Sequence, residues 1–312
     1  SQPHPFWGPT LLLLYWTHLE SNEREEANRV FQRLLKLNTS EDEKSFVQWL
    51  AAQTLFAEGK VLDALPYYFS IVNSKFREKA LFQIGKGYFI ENQFREALTN
   101  FDLLLLQFPN SRFLDEALLI KGECLLHLGD TPRASETYSK VSAHSGENPW
   151  YLMALTQTGI LHLSQQAGEK AEEVFNRVLK EFPDDPLFYY SAFQLGVLAE
   201  KRKDFQGASH FYSLVLRGGL PELLGPTYFR IGEVFMLQEK EEKALVSFER
   251  ALEYLSENSL WFGITQLEIG NLQRRRGKVE EAKHSYRIVQ NQSNDEEIRK
   301  AAKQLLDRLE MR

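Results

Sequence analysis

Small and aromatic residues recur along this chain in register with an underlying helical period. In each block a small residue is followed twelve positions later by Ala, and four positions after that by Phe or Tyr. Gly85, Ala97 and Phe101 set the register. Gly122, Ala134 and Tyr138 repeat it, as do Gly159, Ala171 and Phe175, then Gly196, Ala208 and Tyr212, Gly232, Ala244 and Phe248, and Gly270, Ala282 and Tyr286. Upstream, Ala52, Ala64 and Tyr68 keep the spacing with Ala in first place, and Tyr15, Ala27 and Phe31 keep it with a bulky residue there. Eight repeats therefore follow one another at intervals of 33 to 38 residues.

Each repeat predicts two antiparallel helices, because an apolar period of 3.6 runs on both sides of a turn. The small residue of the first helix and the early Ala of the second let two backbones cross closely, and the ring one turn later fills the space beyond. Gly59, Gly129, Gly168 and Gly277 stand where a positive φ would end the first helix. Pro109, Pro183 and Pro221 follow second helices, which their missing N–H stops. The segments FPNSRFLDEAL (from Phe108) and FPDDPLFYYSAF (from Phe182) show the junction, with a stop at Pro, a cap of Asn, Asp or Ser, and a new apolar period. From Asn294 to Glu310 a stripe of Ile298, Ala302, Leu305 and Leu309 beneath a charged face predicts a final helix that closes the stack against water. Pro3 to Leu19 is apolar almost all round, which predicts an end that packs on a partner or on chain upstream. The organisation expected is a divergent repeat over 1–40, an array over 41–293 and a capping helix over 294–312.

Composition agrees with a helical, well-cored chain. Of 312 residues 43% are hydrophobic, and 18 Gly with 11 Pro are too few for a loop-rich all-β protein. The longest apolar run, Leu11 to Trp16, is far short of the ~20 residues that span a bilayer. A net charge of −6 gives no general field for nucleic acid. Charge is nevertheless uneven, since Gly270 to Arg312 holds 11 Lys plus Arg against 7 Asp plus Glu. Arg274, Arg275, Arg276 and Lys278 concentrate it, either as a docking patch for an acidic partner or lipid headgroups or as a solvated helix end. Chemistry is not evident. The single cysteine, Cys124, lies among leucines and reads as a buried thiol, the seven histidines include no i, i+4 pair, and no phosphate loop or nucleophile elbow occurs. No catalytic activity, cofactor or metal is expected.

At these residues the chain resembles the tetratricopeptide repeat family over nearly its whole length. The stretch from Leu103 to Asp130, LLLLQFPNSRFLDEALLIKGECLLHLGD, is similar to the longer repeats of bacterial envelope proteins of the Tol-Pal coordinator and outer-membrane assembly lipoprotein type. The resemblance implies an all-α, right-handed superhelical solenoid of about eight helix pairs plus a C-terminal capping helix. It further implies a scaffold that binds a protein or peptide on a concave surface lined by first helices, not nucleic acid. The envelope resemblance implies a periplasmic or outer-membrane-associated location, with membrane attachment through an anchor upstream; the cytoplasm is the alternative. Two other roles stay open, a positioning region of a longer protein and a structural homo-oligomer joined through the apolar N-terminal end.

The family's inward places put Trp49, Phe82, Phe193 and Phe229 three before the first-helix small residue, Phe89, Leu126 and Met236 four after it, and Tyr190 six before it. These rings form either an apolar groove for a peptide or a packing layer between neighbouring first helices. In the second case Lys86, Glu123 and Glu233 become the expected recognition surface. The Lys and Asn clamp of chaperone-tail binders is not matched, because no Lys stands three before the small residue. Repeats that touch only their neighbours predict an elongated molecule, so small-angle scattering should give a radius of gyration above the ~20 Å of a compact chain of this length.

Overall fold

The computed structural model describes residues 11–310 apart from 12, 16, 19–20, 22, 37–39, 142–147 and 184. Among them are sixteen α-helices and no strand. They are α1 (Arg24–Lys36), α2 (Glu41–Ala57), α3 (Val61–Ser70), α4 (Arg77–Ile90), α5 (Phe94–Gln107), α6 (Leu114–His127), α7 (Thr131–Ser139) and α8 (Pro149–Ser164). Then follow α9 (Gly168–Glu181), α10 (Pro186–Lys201), α11 (Phe205–Gly218), α12 (Pro221–Leu237), α13 (Glu241–Leu252), α14 (Leu260–Arg275), α15 (Val279–Gln292) and α16 (Glu296–Glu310). Even-numbered helices from α2 to α14 are the first helices of repeats and each packs on the helix after it. Helix α1 is the second helix of the first repeat, whose first helix contributes helical residues 11, 13–15, 17 and 18. The chain divides into two compact halves, Ser1–Ala154 and Leu155–Arg312, the division falling within α8.

Pairing within a repeat depends on one contact. A Cβ added at Gly85 would lie 2.8 Å from Cε1 of Phe101, and one at Gly159 would lie 2.6 Å from Cε1 of Phe175. Gly122, Gly196, Gly232 and Gly270 meet Tyr138, Tyr212, Phe248 and Tyr286 in the same way. The small residue therefore makes room for the aromatic ring, not for the early Ala as the spacing suggested. Those rings and the Ala residues are almost wholly buried.

Turns between paired helices follow an equally strict rule. Seven places after the small residue the backbone is left-handed in every repeat from the second onward, at Gly59, Asn92, Gly129, Gln166, Lys203, Glu239 and Gly277. Gly168 is not the turn residue expected; it opens α9, and Gln166, with φ of 58°, takes the strained place. A side chain there costs about 1–2 kcal/mol, which the packed helix pair outweighs in four repeats.

Caps link one repeat to the next. Ser111 accepts the N–H of Phe113 at 3.0 Å while its hydroxyl donates to Glu78 at 2.7 Å. Asn148 accepts the N–H of Trp150 at 3.1 Å while its amide donates to Asp115 at 2.6 Å. Asp185 caps α10 through the N–H of Leu187, as the sequence suggested, whereas at α6 Phe113 is the N-cap and Ser111 acts two residues earlier, on the N–H of Phe113. Helix α16 buries Ala302 and Leu306 against Tyr286 and Val289, as a capping helix should, though it starts at Glu296. Of the apolar stretch Pro3 to Leu19, residues 3–10, 12, 16 and 19 lie outside the described residues; Tyr15 is buried, and Leu13 and Leu14 are exposed.

Replacing Gly159 by Ala should lower the melting temperature, because a clash worth ~1–3 kcal/mol opposes a helix-propensity gain of ~1 kcal/mol. Gly168→Ala, whose added carbon meets only Leu198 at 3.5 Å, should not lower it.

Candidate functional site

First helices of each half present a common side, and the predicted ring groove does not form on it. Phe82, Phe193 and Phe229 are 2%, 9% and 4% exposed and belong to the core. Phe82 stacks on Phe113 with ring centroids 4.4 Å apart and planes 9° from parallel, and Phe101 flanks it. Phe229 sits between Phe248 and Trp261 at 5.4 and 5.2 Å, and Phe193 lies 6.0 Å from Tyr212. Three places before the small residue, a side chain points into the gap between repeats, where its own second-helix ring closes on it. The ring that leads into the next first helix closes the gap from the other side for Phe82 and Phe229. Trp49, half-buried, stacks on Phe76 in the same arrangement. Phe89, Leu126, Tyr190 and Met236 are also half-buried.

What the first helices offer beside these rings is polar. In the N-terminal half Lys86 of α4 donates to Glu116 of α6 at 3.0 Å, and Gln53 donates to the Tyr68 hydroxyl at 2.7 Å. Burial holds the Glu123 carboxyl above the usual carboxylate range, with His127 one turn on opposing the shift. The His127 ring lies flat on Phe94 at 4.3 Å.

The C-terminal half gathers more charge. Arg230 of α12 donates to Glu233 at 2.6 Å and lies 3.7 Å from Glu200 of α10, which accepts the Tyr212 hydroxyl at 2.9 Å. On α14, Asn271 accepts the Tyr286 hydroxyl at 3.0 Å. Burial raises the Glu233 carboxyl, Arg230 pulls it down, and Glu200 and Glu268 push it up again. Burial likewise raises Glu268. Two carboxylates, Glu200 and Glu233, thus flank one guanidinium, and Glu268 on the next first helix lies near enough to Glu233 to raise it.

A sequence signal for these polar partners exists in hindsight. The aromatic place alternates strictly, Phe31, Tyr68, Phe101, Tyr138, Phe175, Tyr212, Phe248, Tyr286. A Tyr hydroxyl threaded past the small residue emerges beside its own first helix, where Gln53, Glu200 and Asn271 meet it. The Tyr138 hydroxyl has no hydrogen-bond partner among the described residues, and the nearby Glu123 carboxylate helps burial to raise its pKa.

The basic cluster is a correction. Arg275 pairs with Glu241 at 3.4 Å, Arg276 with Glu242 at 3.8 Å and Lys278 with Glu281 at 3.0 Å, while Arg274 lies beside Tyr286. Second-helix starts carry acids against the helix dipole, and these acids pair with three of the four cations, which lowers the positive charge left open there. Cys124 is wholly buried and its thiol is pushed up to about 12, which keeps it protonated at neutral pH. Among the described residues no group of acids, His and Cys could hold a metal, and no helix is long and apolar enough to cross a membrane.

Solved structures share this arrangement of helix pairs. A tetratricopeptide repeat protein from Parabacteroides merdae aligns with a TM-score of 0.54 at 16% identity, covering 83% of this chain and 97% of that one. The chain has the tetratricopeptide repeat fold. The pilF protein of Pseudomonas aeruginosa aligns with a TM-score of 0.57 at 16% identity, over 73% of this chain and 98% of that one. A chain of the APC/C hetero-tetramer Cut9-Hcn1 aligns with a TM-score of 0.52 at 16% identity; the match covers 92% of this chain and 59% of that longer one. No family model and no curated protein matches this chain in sequence.

The raised carboxyls give a pH test. Folded Glu268 keeps its proton to higher pH than the unfolded chain does, so stability falls as pH climbs from the ordinary carboxylate value through the raised one. Glu268→Gln should flatten that fall and raise the melting temperature at neutral pH while changing it little near pH 4.

Proposed function

We propose that this chain is a non-enzymatic protein-interaction scaffold, and that the first-helix side of its C-terminal half holds a basic peptide segment of a partner. The observation that carries the reading is a row of carboxylates on successive first helices, Glu200 and Glu233 sharing the one guanidinium of Arg230 and Glu268 following beside Glu233. Burial holds two of these carboxyls above their ordinary range, and on these helices three carboxylates face the one guanidinium of Arg230. A Lys or Arg brought by a partner would offset the burial of those carboxylates and be recognised in return. Half-buried Tyr190 and Met236, on α10 and α12, offer apolar contact on the same helices. Lys86 and Glu116 pair across α4 and α6, which supports the C-terminal half as the more selective surface for a cation. The bacterial envelope, periplasmic or at the outer membrane, is the compartment we favour on the similarity of Leu103 to Asp130 to envelope repeats.

Fluorescence anisotropy with labelled peptides of one apolar spacing and basic, neutral or acidic charge tests the reading. The basic peptide should bind, more weakly as salt rises, and Glu268→Lys should weaken it about tenfold. Equal binding of the neutral peptide, or of the basic one to the charge-reversed variant, would sink it.

A further inference from the structure

The N-terminal half contains a cleft of about 660 Å³, within the range that holds small ligands. It lies between α1, α2 and the start of α3, and its floor carries three rings in series. Tyr15 and Phe31 have centroids 5.9 Å apart, and Phe31 meets Tyr67 edge-on at 5.6 Å. The origin of the cleft is in the sequence. Where other repeats have Gly or Ala beneath the second-helix ring, the first has Tyr15, so Phe31 packs on a ring instead of a backbone, and the cleft opens beside the core that α1 and α2 share at Phe31, Leu34, Val47 and Ala51.

Its polar lining is rich in acids. Glu25, Glu58 and Asp63 line it beside the hydroxyls of Tyr15, Thr54 and Tyr67 and the cation of Lys60; Glu58 engages Lys60 at 2.9 Å, and Glu25 lies 4.0 Å from Arg29. Asp63 is exposed and makes no ion pair among the described residues. Pro66, inside α3, has no N–H to donate, so the carbonyl of Leu62 lacks its ordinary helical donor, and both residues line the cleft. An independent backbone acceptor thus joins the carboxylates, above rings whose faces attract cations.

We propose that this cleft binds a protonated aliphatic amine, the ammonium meeting Asp63, Glu25 and the Leu62 carbonyl and the methylene stem lying on the half-buried ring of Tyr67. The amine is either a free small molecule or the side chain of a lysine. The site is separate from the peptide surface proposed above. On α2 the cleft residues Ala51, Thr54, Leu55 and Glu58 lie on the opposite side of the helix from Trp49, Gln53 and Phe56 at 100° per residue.

Isothermal titration calorimetry on the full chain tests it, with 1,5-diaminopentane, 1,5-pentanediol, glutarate and Nα-acetyl-lysine methylamide as titrants. The diamine should saturate one site with a Kd of about 1 mM or tighter, while the diol and glutarate give no binding heat. Binding of the lysine amide as tightly as the diamine would assign the site to a lysyl side chain, and binding of the diamine alone to a free amine. The exposed pair Glu25→Gln with Asp63→Asn should weaken the diamine about fivefold with the helical spectrum unchanged, and Tyr67→Ala should weaken it again. Glu268→Lys, which disables the peptide surface, should leave it unchanged. Equal heats from diamine and diol, no heat from either amine, or an unaltered Kd in the double variant would overturn the proposal.

Discussion

Six of the eight repeats are organised by an aromatic ring lying on a bare backbone. Phe101 on Gly85 and Phe175 on Gly159 leave no room for a methyl group, so the distance and rotation of the two helices are fixed by the thickness of a ring. Protein interiors pack too densely to absorb an extra carbon there without displacement. The left-handed turn seven residues later follows from that geometry, since the second helix can return over the glycine only if the chain reverses at one place. That is why Gln166, Lys203 and Glu239 accept a conformation usually left to glycine.

The same ring decides what the first helices can show. Filling the space between helices with Phe101 or Phe248 leaves a gap between repeats, and Phe82 and Phe229 are drawn into it. Large apolar side chains thereby leave the side on which a partner could dock, and glutamates, an arginine and an asparagine remain. Held close to apolar neighbours, these groups are neither fully solvated nor fully paired. Partial burial strengthens each charge's preference for a complementary one. Half-satisfied charge on a rigid helix array is a sound basis for recognition, because its geometry is fixed before a partner arrives.

Where the constraint is relaxed, a different surface appears. Tyr15 stands where the other repeats have a small residue, Phe31 packs on its ring, and a cleft with aromatic lining and an anionic rim opens beside them. One substitution in a repeating rule thus separates an end with its own small-molecule chemistry from an array whose chemistry is spread along helix faces.

The sequence by itself determined the helices, their pairing and the caps, since Gly, Ala and the ring recur at fixed separations and Ser111 and Asp185 stand where helices begin. Those are local relations, made by residues within one repeat. It did not determine where the turn falls in the fifth repeat, because Gly168 is the nearest glycine but Gln166 stands at the required place. Nor did it separate groove from core at Phe82, Phe193 and Phe229, or free cation from paired cation at Arg275 and Arg276. Apolar periodicity tells that a side chain leaves water without telling which neighbour covers it. Only the tertiary structure decided these matters, because the covering ring of Phe113 or Trp261 and the carboxylates of Glu241 and Glu242 lie some 30 residues away. Their approach depends on how one repeat sits on the next, a relation set by packing distances rather than by spacing along the chain.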